Sequence, residues 1–278
     1  MPPTAFTPAH WLIAALVPFC LPGAECRAGN ADFSLGLHLR HHRIEERSTS
    51  GAPLLTETGW LPMVEGGMVL PLAKGSVAAG ISLSDGTLDY SGRTQSGSTF
   101  DTLTTQRIWR GGLGYQLPFQ LPFQLPFGGG MEGRIRWEAE RRERRIEGHS
   151  GIAGMDEDYL RHSAALGVVW QPLAEAQGFS ITAEWIKGIA GHQTIRSAGL
   201  IDPVTLPAGA LRGVSLEARI PLHAPAGGPR WTLVPHGETL HTARSESRPF
   251  TAQGQFAGTI AQPETRRWQV GAGLELAW

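Results

Sequence analysis

The last eleven residues of the chain alternate between apolar side chains and polar or small ones. The apolar positions are Trp268, Val270, Ala272, Leu274, Leu276 and Trp278. The positions between them are Gln269, Gly271, Gly273, Glu275 and Ala277. Because successive side chains of a strand point to opposite faces, this period of two predicts a β-strand with one apolar face.

The same alternation recurs along the chain in about ten runs, each as long as a tilted strand that crosses a bilayer. The runs lie near residues 31-43, 59-70, 75-88, 103-117, 131-145, 158-171, 177-188, 210-221, 230-242 and 265-278. Beyond the N-terminal region, no stretch approaches the roughly 20 apolar residues that a membrane-spanning helix needs. We therefore expect an all-β fold, an up-and-down transmembrane β-barrel of about ten antiparallel strands.

The C-terminal residues Leu274, Leu276 and Trp278 resemble the insertion signal of bacterial outer-membrane β-barrels. That resemblance implies the outer membrane of a Gram-negative-type bacterium, reached through the periplasm. It also implies contacts with outer-membrane lipid and with the barrel-insertion machinery.

The N-terminus has an apolar core, Trp11 to Leu21, followed by small residues, and resembles a secretory leader cleaved after Ala28. We expect residues 1-28 to be a signal peptide and residues 29-278 to be the barrel. The alternatives are a membrane anchor and, at Cys26, a lipoprotein site, although Glu25 fits that processing poorly. Both cysteines, Cys20 and Cys26, lie in this segment, so the mature chain should contain no disulfide.

Tryptophans fall near the ends of the runs, as in the aromatic girdles of membrane barrels. Three lie at the expected periplasmic ends, namely Trp170, Trp231 and Trp278, and four lie towards the outer ends, namely Trp60, Trp109, Trp185 and Trp268. The connections after odd-numbered runs are long and polar, and those after even-numbered runs are mostly short. This alternation predicts five extracellular loops and short periplasmic turns.

The alternation places many charged side chains on the inward face. They are Arg40, Arg110, Glu132, Arg134, Arg136, Glu138, Glu140, Glu184, Glu217, Arg219, Glu238 and Glu275. Charges removed from water must be paired, so we expect Arg/Glu pairs to fill the lumen, with Arg134 and Arg136 bound to Glu184, Glu217 or Glu275. Six inward glycines should make room for these long side chains: Gly80, Gly112, Gly114, Gly167, Gly271 and Gly273.

One connection repeats Gln-Leu-Pro-Phe three times, from Gln116 to Phe127. It is either a tolerated tandem duplication or a proline-rich docking strip for a periplasmic partner. The near balance of 24 Lys+Arg against 25 Asp+Glu argues against a nucleic-acid binder.

In strand count and length the chain resembles the omptin outer-membrane proteases. That resemblance implies two acids facing an Asp-His pair across the barrel mouth, for which the candidates here are Asp156, Asp158, His149 and Asp89. The chain departs from the family because it contains no Asp-x-His. Scattered histidines and the lack of nucleotide-binding motifs favour neither a metal nor another cofactor.

These observations favour an outer-membrane barrel of structural or interaction type. The first alternative is an omptin-like protease. The second is a narrow channel, although a pore is usually dominated by charges of one sign.

Overall fold

A computed structural model describes residues 31–93, 98–119, 129–148, 152–172, 178–197, 200–222 and 229–278. The expected signal peptide, residues 1-28, lies outside these ranges. The described part is all-β, and no helix in it is long and apolar enough to cross a membrane. Its strands are β1 Asp32–Arg47, β2 Pro53–Leu72, β3 Gly75–Arg93, β4 Thr99–Phe119, β5 Gly130–Ile146, β6 Met155–Gln171, β7 Ser180–Ser197, β8 Ile201–Pro207, β9 Leu211–Pro221, β10 Arg230–Thr242, β11 Arg248–Ala252, β12 Gln255–Ile260 and β13 Glu264–Ala277.

Ten strands form a closed antiparallel barrel in chain order, β1 to β7 followed by β9, β10 and β13. The barrel closes where β13 pairs with β1. At this seam Phe33 and Trp278 exchange both backbone hydrogen bonds, each 3.1 Å long. The predicted ten-stranded up-and-down barrel is confirmed. We call the end that holds Asp32 and Ala277 the terminal end and the opposite end the distal end.

The outer surface of the terminal part is a continuous apolar band. On β1 it includes Leu35, Leu37 and Leu39, all about half exposed, and matching residues on the other nine strands complete it. On β13 the band runs from Trp268 to Trp278, which are ten residues apart. At about 3.3 Å per residue and a tilt near 40°, this corresponds to a height of roughly 25 Å.

Beyond the band, outward positions become charged. These positions include Arg43, Asp85, Arg107, Arg141, Lys187, Arg212 and Arg266. Several are paired on the surface, for example Arg107 with Asp85 at 2.6 Å and Arg141 with Asp158 at 2.8 Å. On these strands the outward face therefore changes from apolar to ionic beyond the band.

The expected long distal loops are largely absent from the described residues, because the strands continue past the band. β1 and β2 are joined by residues 48–52 alone, and β2 and β4 are 20 and 21 residues long. The physical reason is that ladder pairing satisfies the backbone of polar segments as well as apolar ones. The period of two continues there, but its outward face is polar.

Two additional hairpins extend the distal end. β8 pairs with the distal part of β7, and β11 pairs with β12. Ile195, Val204 and Leu206 form a buried cluster between them, against which Phe250 and Ile260 pack. Asp202 accepts hydrogen bonds from the Thr251 hydroxyl and the Gly254 amide. We call residues 191–197, 200–207 and 245–262 together the distal lobe.

Candidate functional site

Two apolar clusters lie inside the barrel near the distal border of the band. The first contains Ile44, Leu61, Leu88 and Ile108, one from each of β1 to β4. The second contains Ala165, Ile186, Leu211 and Leu240, from β6, β7, β9 and β10. All eight are almost fully buried. Only β5 and β13, which stand opposite each other in the ring of ten strands, contribute to neither cluster.

β5 and β13 are joined across the lumen by an ion pair. Both terminal nitrogens of Arg267 on β13 donate to the carboxylate of Glu140 on β5, each at 2.9 Å. Arg110 on β4 also donates to Glu140 at 2.9 Å and lies 3.4 Å from Glu238 on β10, the strand opposite β4. We call Arg110, Glu140, Glu238 and Arg267 the central bridge. With the two apolar clusters it forms a layer of buried side chains across the lumen.

Further charge pairs lie between this layer and the terminal end. Arg134 and Arg136 both contact Glu184, at 3.3 and 2.7 Å. Arg136 also contacts Glu138. Glu217 and Glu275 contact Arg219 instead of the two β5 arginines that the sequence suggested. All twelve predicted lumen residues occupy inward positions of the alternation, and Glu132 and Arg40 form no ion pair among the described residues.

A second charge cluster, which the sequence analysis did not identify, lies in the distal half. Arg144 on β5 contacts three carboxylates, those of Glu46 at 3.0 Å, Glu57 at 2.6 Å and Glu157 at 2.5 Å. The Arg144 side chain is only 2% exposed. The missed signal is simple parity: Arg144 continues the inward series of Arg134, and Arg267 has the same parity as Glu275.

Polar side chains complete this distal cluster, which is outside the apolar band. Thr104 and Gln106 donate to Glu57, and Tyr159 and Gln193 donate to Glu157. The guanidinium of Arg142 lies 4.1 Å from the centre of the Tyr159 ring.

The pKa of Glu46 in this cluster is shifted upwards, to about 7. Burial is the main cause, and the charges of Glu157 and Glu57 add to it, whereas Arg144 acts in the opposite direction. Burial, with a contribution from Glu157, also raises the pKa of Tyr159 well above its ordinary value. One arginine thus contacts three carboxylates, and burial favours the protonated form of Glu46.

The sequence predicts a lumen filled by Arg/Glu pairs. The terminal half of the lumen instead holds a cavity of about 750 Å³. The cavity extends from Arg40 and Glu238, beside the central bridge, to strand ends such as Asp32 and Gln171. Gly80, Gly112 and Gly114 line it. Because glycine has no side chain, these three positions leave room for the cavity.

The remaining inward glycines accommodate long side chains. A Cβ at Gly271 would overlap the Leu39 carbonyl oxygen and lie 3.0 Å from Cγ of Arg40. At Gly273 it would overlap the His38 ring. At Gly167 it would lie 2.7 Å from Cγ of Glu184.

The protease candidates are not brought together in the described residues. Asp156 and Asp158 face outward on β6, where they are bonded to Arg145 and Arg141. Asp89 faces outward on β3, and two strands separate it from β6. His149 lies outside the described residues. No group of three or more His, Cys, Asp or Glu side chains suited to a metal ion occurs within the described ranges.

The predicted girdle and insertion residues lie on the outer surface. Trp60, Trp185, Trp231 and Trp278 are 43–59% exposed, and Trp109, Trp170 and Trp268 are partly covered by neighbours. Leu274 and Leu276 occupy outward positions on β13. Trp137, also outward and half exposed, adds to the distal row. Most of the Gln-Leu-Pro-Phe repeat, residues 120–127, lies outside the described residues.

No protein-family model matches the chain, and no curated protein matches it. Solved structures that resemble it include the outer membrane protease OmpT from Escherichia coli, with 10% identity, a TM-score of 0.49, and coverage of 89% of this chain and 96% of that one. Neisserial surface protein A has 11% identity, a TM-score of 0.31, and coverage of 88% and 97%. The β domain of the Bordetella autotransporter BrkA has 15% identity, a TM-score of 0.35, and coverage of 88% and 99%.

Identities of 10–15% and TM-scores below 0.5 transfer no activity, ligand or partner to this chain. The fold is established by the strand pairing itself. The described chain is a closed ten-stranded antiparallel β-barrel, and its structural neighbours are bacterial outer-membrane β-barrels.

Proposed function

We propose that this chain is an outer-membrane barrel with a sealed lumen, which acts as a structural or interaction protein. The membrane part of the proposal rests on the apolar band, whose height of roughly 25 Å matches that of outer-membrane barrels. A continuous half-exposed belt of Leu, Val, Ile and Trp is far larger than the apolar patches that soluble monomers expose.

The observation that carries the sealed lumen is the buried layer formed by the central bridge and the two apolar clusters. Arg267 and Glu140 are 5% and 7% exposed, and the surrounding leucines and isoleucines are buried to the same degree. A conducting pore needs a continuous wet path, usually with charges of one sign at its constriction. Here the constriction consists of apolar side chains from eight strands and of the charge-paired central bridge, whose residues come from β4, β5, β10 and β13.

With the lumen closed, the surfaces available for interaction lie beyond the band. The distal lobe offers apolar side chains to solvent, notably Phe256 at 72% exposure and Leu200 at 58%. An anchored barrel that presents such a lobe fits an interaction role better than a transport role.

Conductance in planar bilayers tests the sealed lumen. Purified protein should incorporate without discrete conductance steps at either polarity. Heat-dependent gel migration of the same preparation would show that the protein added to the bilayers without current was a folded barrel. Reproducible stepwise currents from the wild-type protein would contradict the proposal and favour the narrow channel.

A further inference from the structure

Two of the charged side chains that line the terminal cavity do not belong to its Arg/Glu and Arg/Asp ion pairs. Every other charged side chain lining it forms an ion pair with an Arg, Asp or Glu residue; for example, Arg230 lies 3.5 Å from Asp32. Within the described part of the chain, the exceptions are Arg40 and Glu65. Glu65 has only the imidazole of His38, at 3.9 Å. One guanidinium and one carboxylate therefore face the same cavity without a full partner.

Arg40 lies in a closely packed recess of the barrel wall. Its side chain is more than nine-tenths buried, and its Nε has no acceptor among the residues that the structure describes. Gly271 lies directly opposite it on β13, where any Cβ would crowd the arginine. A buried guanidinium without acceptors is costly, so this position is suited to an incoming carboxylate, which it can bind through two N–H groups.

Two imidazoles flank Arg40. His236 is in register with Gly271 on the strand beyond it, and His38 precedes Arg40 by two residues. Both ring nitrogens of each histidine are buried without hydrogen-bond partners. His236 also lines the cavity, so it can donate to or accept from a polar ligand beside the guanidinium, whereas the His38 ring packs against Gly273.

Glu65 adds the opposite charge to this site. It projects from β2, next to β1, and its side chain is 45% exposed. Like Arg40, it lines the cavity. A simple anion at Arg40 would lie close to this carboxylate and be repelled by it. A ligand that also carries an ammonium group would compensate Glu65 and bring no net charge into the lumen.

We propose that the cavity binds a small zwitterion of the α-amino-acid type, with its carboxylate at Arg40 and its ammonium group towards Glu65. His236 would hydrogen-bond its remaining polar atoms. This inference depends on the lumen alone, so it can fail or succeed independently of the sealed-barrel proposal.

Titration calorimetry on the full mature chain in detergent tests the site, with alanine and glutamine as zwitterions, acetate as the anion and methylammonium as the cation. At least one amino acid should bind, and acetate and methylammonium should bind about tenfold more weakly or worse. Arg40→Gln and Glu65→Gln should each weaken amino-acid binding about tenfold or more, the loss expected for one charge-assisted hydrogen bond. Ser82→Ala, a change to a neutral lining residue, should alter it less than about twofold.

Neither charge variant strands a partner in an ion pair, so both should fold, which heat-dependent gel migration would verify. Acetate binding as tightly as the amino acids, with Glu65→Gln having no effect, would replace the zwitterion site with a plain anion site. Absence of binding by both amino acids to the folded wild-type chain would overturn the proposal and leave Arg40 and Glu65 compensated by water.

Discussion

Glu140 on β5 and Arg267 on β13 stand on opposite walls of the barrel and are joined by two hydrogen bonds of 2.9 Å. They fill the gap between two apolar clusters that arise from the other eight strands. Such a pair adds little net stability compared with apolar residues, but breaking it leaves a charge buried.

Loss of an arginine from the distal cluster should lower stability more than loss of an arginine from the charge pairs that line the cavity. Arg144→Ala would leave Glu46, Glu57 and Glu157 without their shared cation in a nearly dry site, at a cost of about 3–5 kcal/mol. Arg136→Ala should cost less, about 1–2 kcal/mol, because Arg136 is 20% exposed and faces the cavity, where water can solvate Glu184. Urea or thermal unfolding in detergent measures both.

The matched control for these two variants is Arg145→Ala. Arg145 is 72% exposed and pairs with Asp156 on the outer surface, so its loss should change stability by less than about 1 kcal/mol. An Arg144→Ala barrel as stable as the Arg145→Ala barrel would mean that water reaches and solvates the carboxylates of the distal cluster.

Stability should fall as the pH rises through the range in which Glu46 loses its proton. The pKa of Glu46 is raised to about 7 in the folded chain, so the folded state holds more protons than the unfolded state between about pH 4.5 and 7. The contribution is therefore present below that window and is lost as the pH rises to 7, by about 1–3 kcal/mol. Unfolding measured at pH 5 and pH 8 gives the difference.

Glu46→Gln separates this contribution from other titrations, since glutamine keeps the shape and carries no charge. Much of the pH dependence should disappear in the variant, and at pH 8 it should be more stable than the wild type. An unchanged pH profile would show that another group is responsible.

The glycine opposite Arg40 should not tolerate a side chain. Gly271→Ala would press a methyl group against the Leu39 carbonyl and the Arg40 side chain, with an expected cost of about 1–3 kcal/mol. Gly111→Ala is the control, because Gly111 has open space around its Cβ position. Equal unfolding midpoints for the two variants would refute the close packing at Gly271.

Loss of the last aromatic should impair insertion. Trp278 is paired to Phe33 at the barrel seam and lies 59% exposed at the terminal edge of the band. Deleting Trp278 removes two backbone hydrogen bonds as well as the terminal residue of the expected insertion signal. Phe256→Ala, an exposed aromatic outside the band, provides the comparison. Wild-type amounts of the Trp278-deleted chain in the outer-membrane fraction would contradict this expectation.

The barrel itself could be predicted because a period of two is a local property of each strand. Ten runs, their order and the outward face of β13 all follow from that alternation. What the alternation does not show is where a strand stops, since pairing continues as long as a neighbour supplies partners. The alternation therefore predicts loops where the additional hairpins and the distal extensions lie.

The contacts inside the lumen could be predicted only in part. Parity identified which side chains point inward, but partners depend on tilt and register between strands that are far apart in sequence. Arg136 and Glu184 are two strands apart and were anticipated, whereas Arg267 and Glu140 span the barrel. The cavity was not foreseen because it depends on the summed volume of side chains from every strand.

Spin labels on β13 test most directly whether this barrel crosses a lipid bilayer. Single cysteines at Arg266, Gln269 and Ala272, in a chain with Cys20 and Cys26 replaced by serine, would carry nitroxides in reconstituted vesicles. The label at Ala272 should be accessible to oxygen and shielded from a water-soluble nickel chelate. The label at Arg266 should be open to the chelate, and the inward label at Gln269 should be open to neither. Access of the chelate to Ala272 equal to that at Arg266 would show that the apolar band does not lie in lipid.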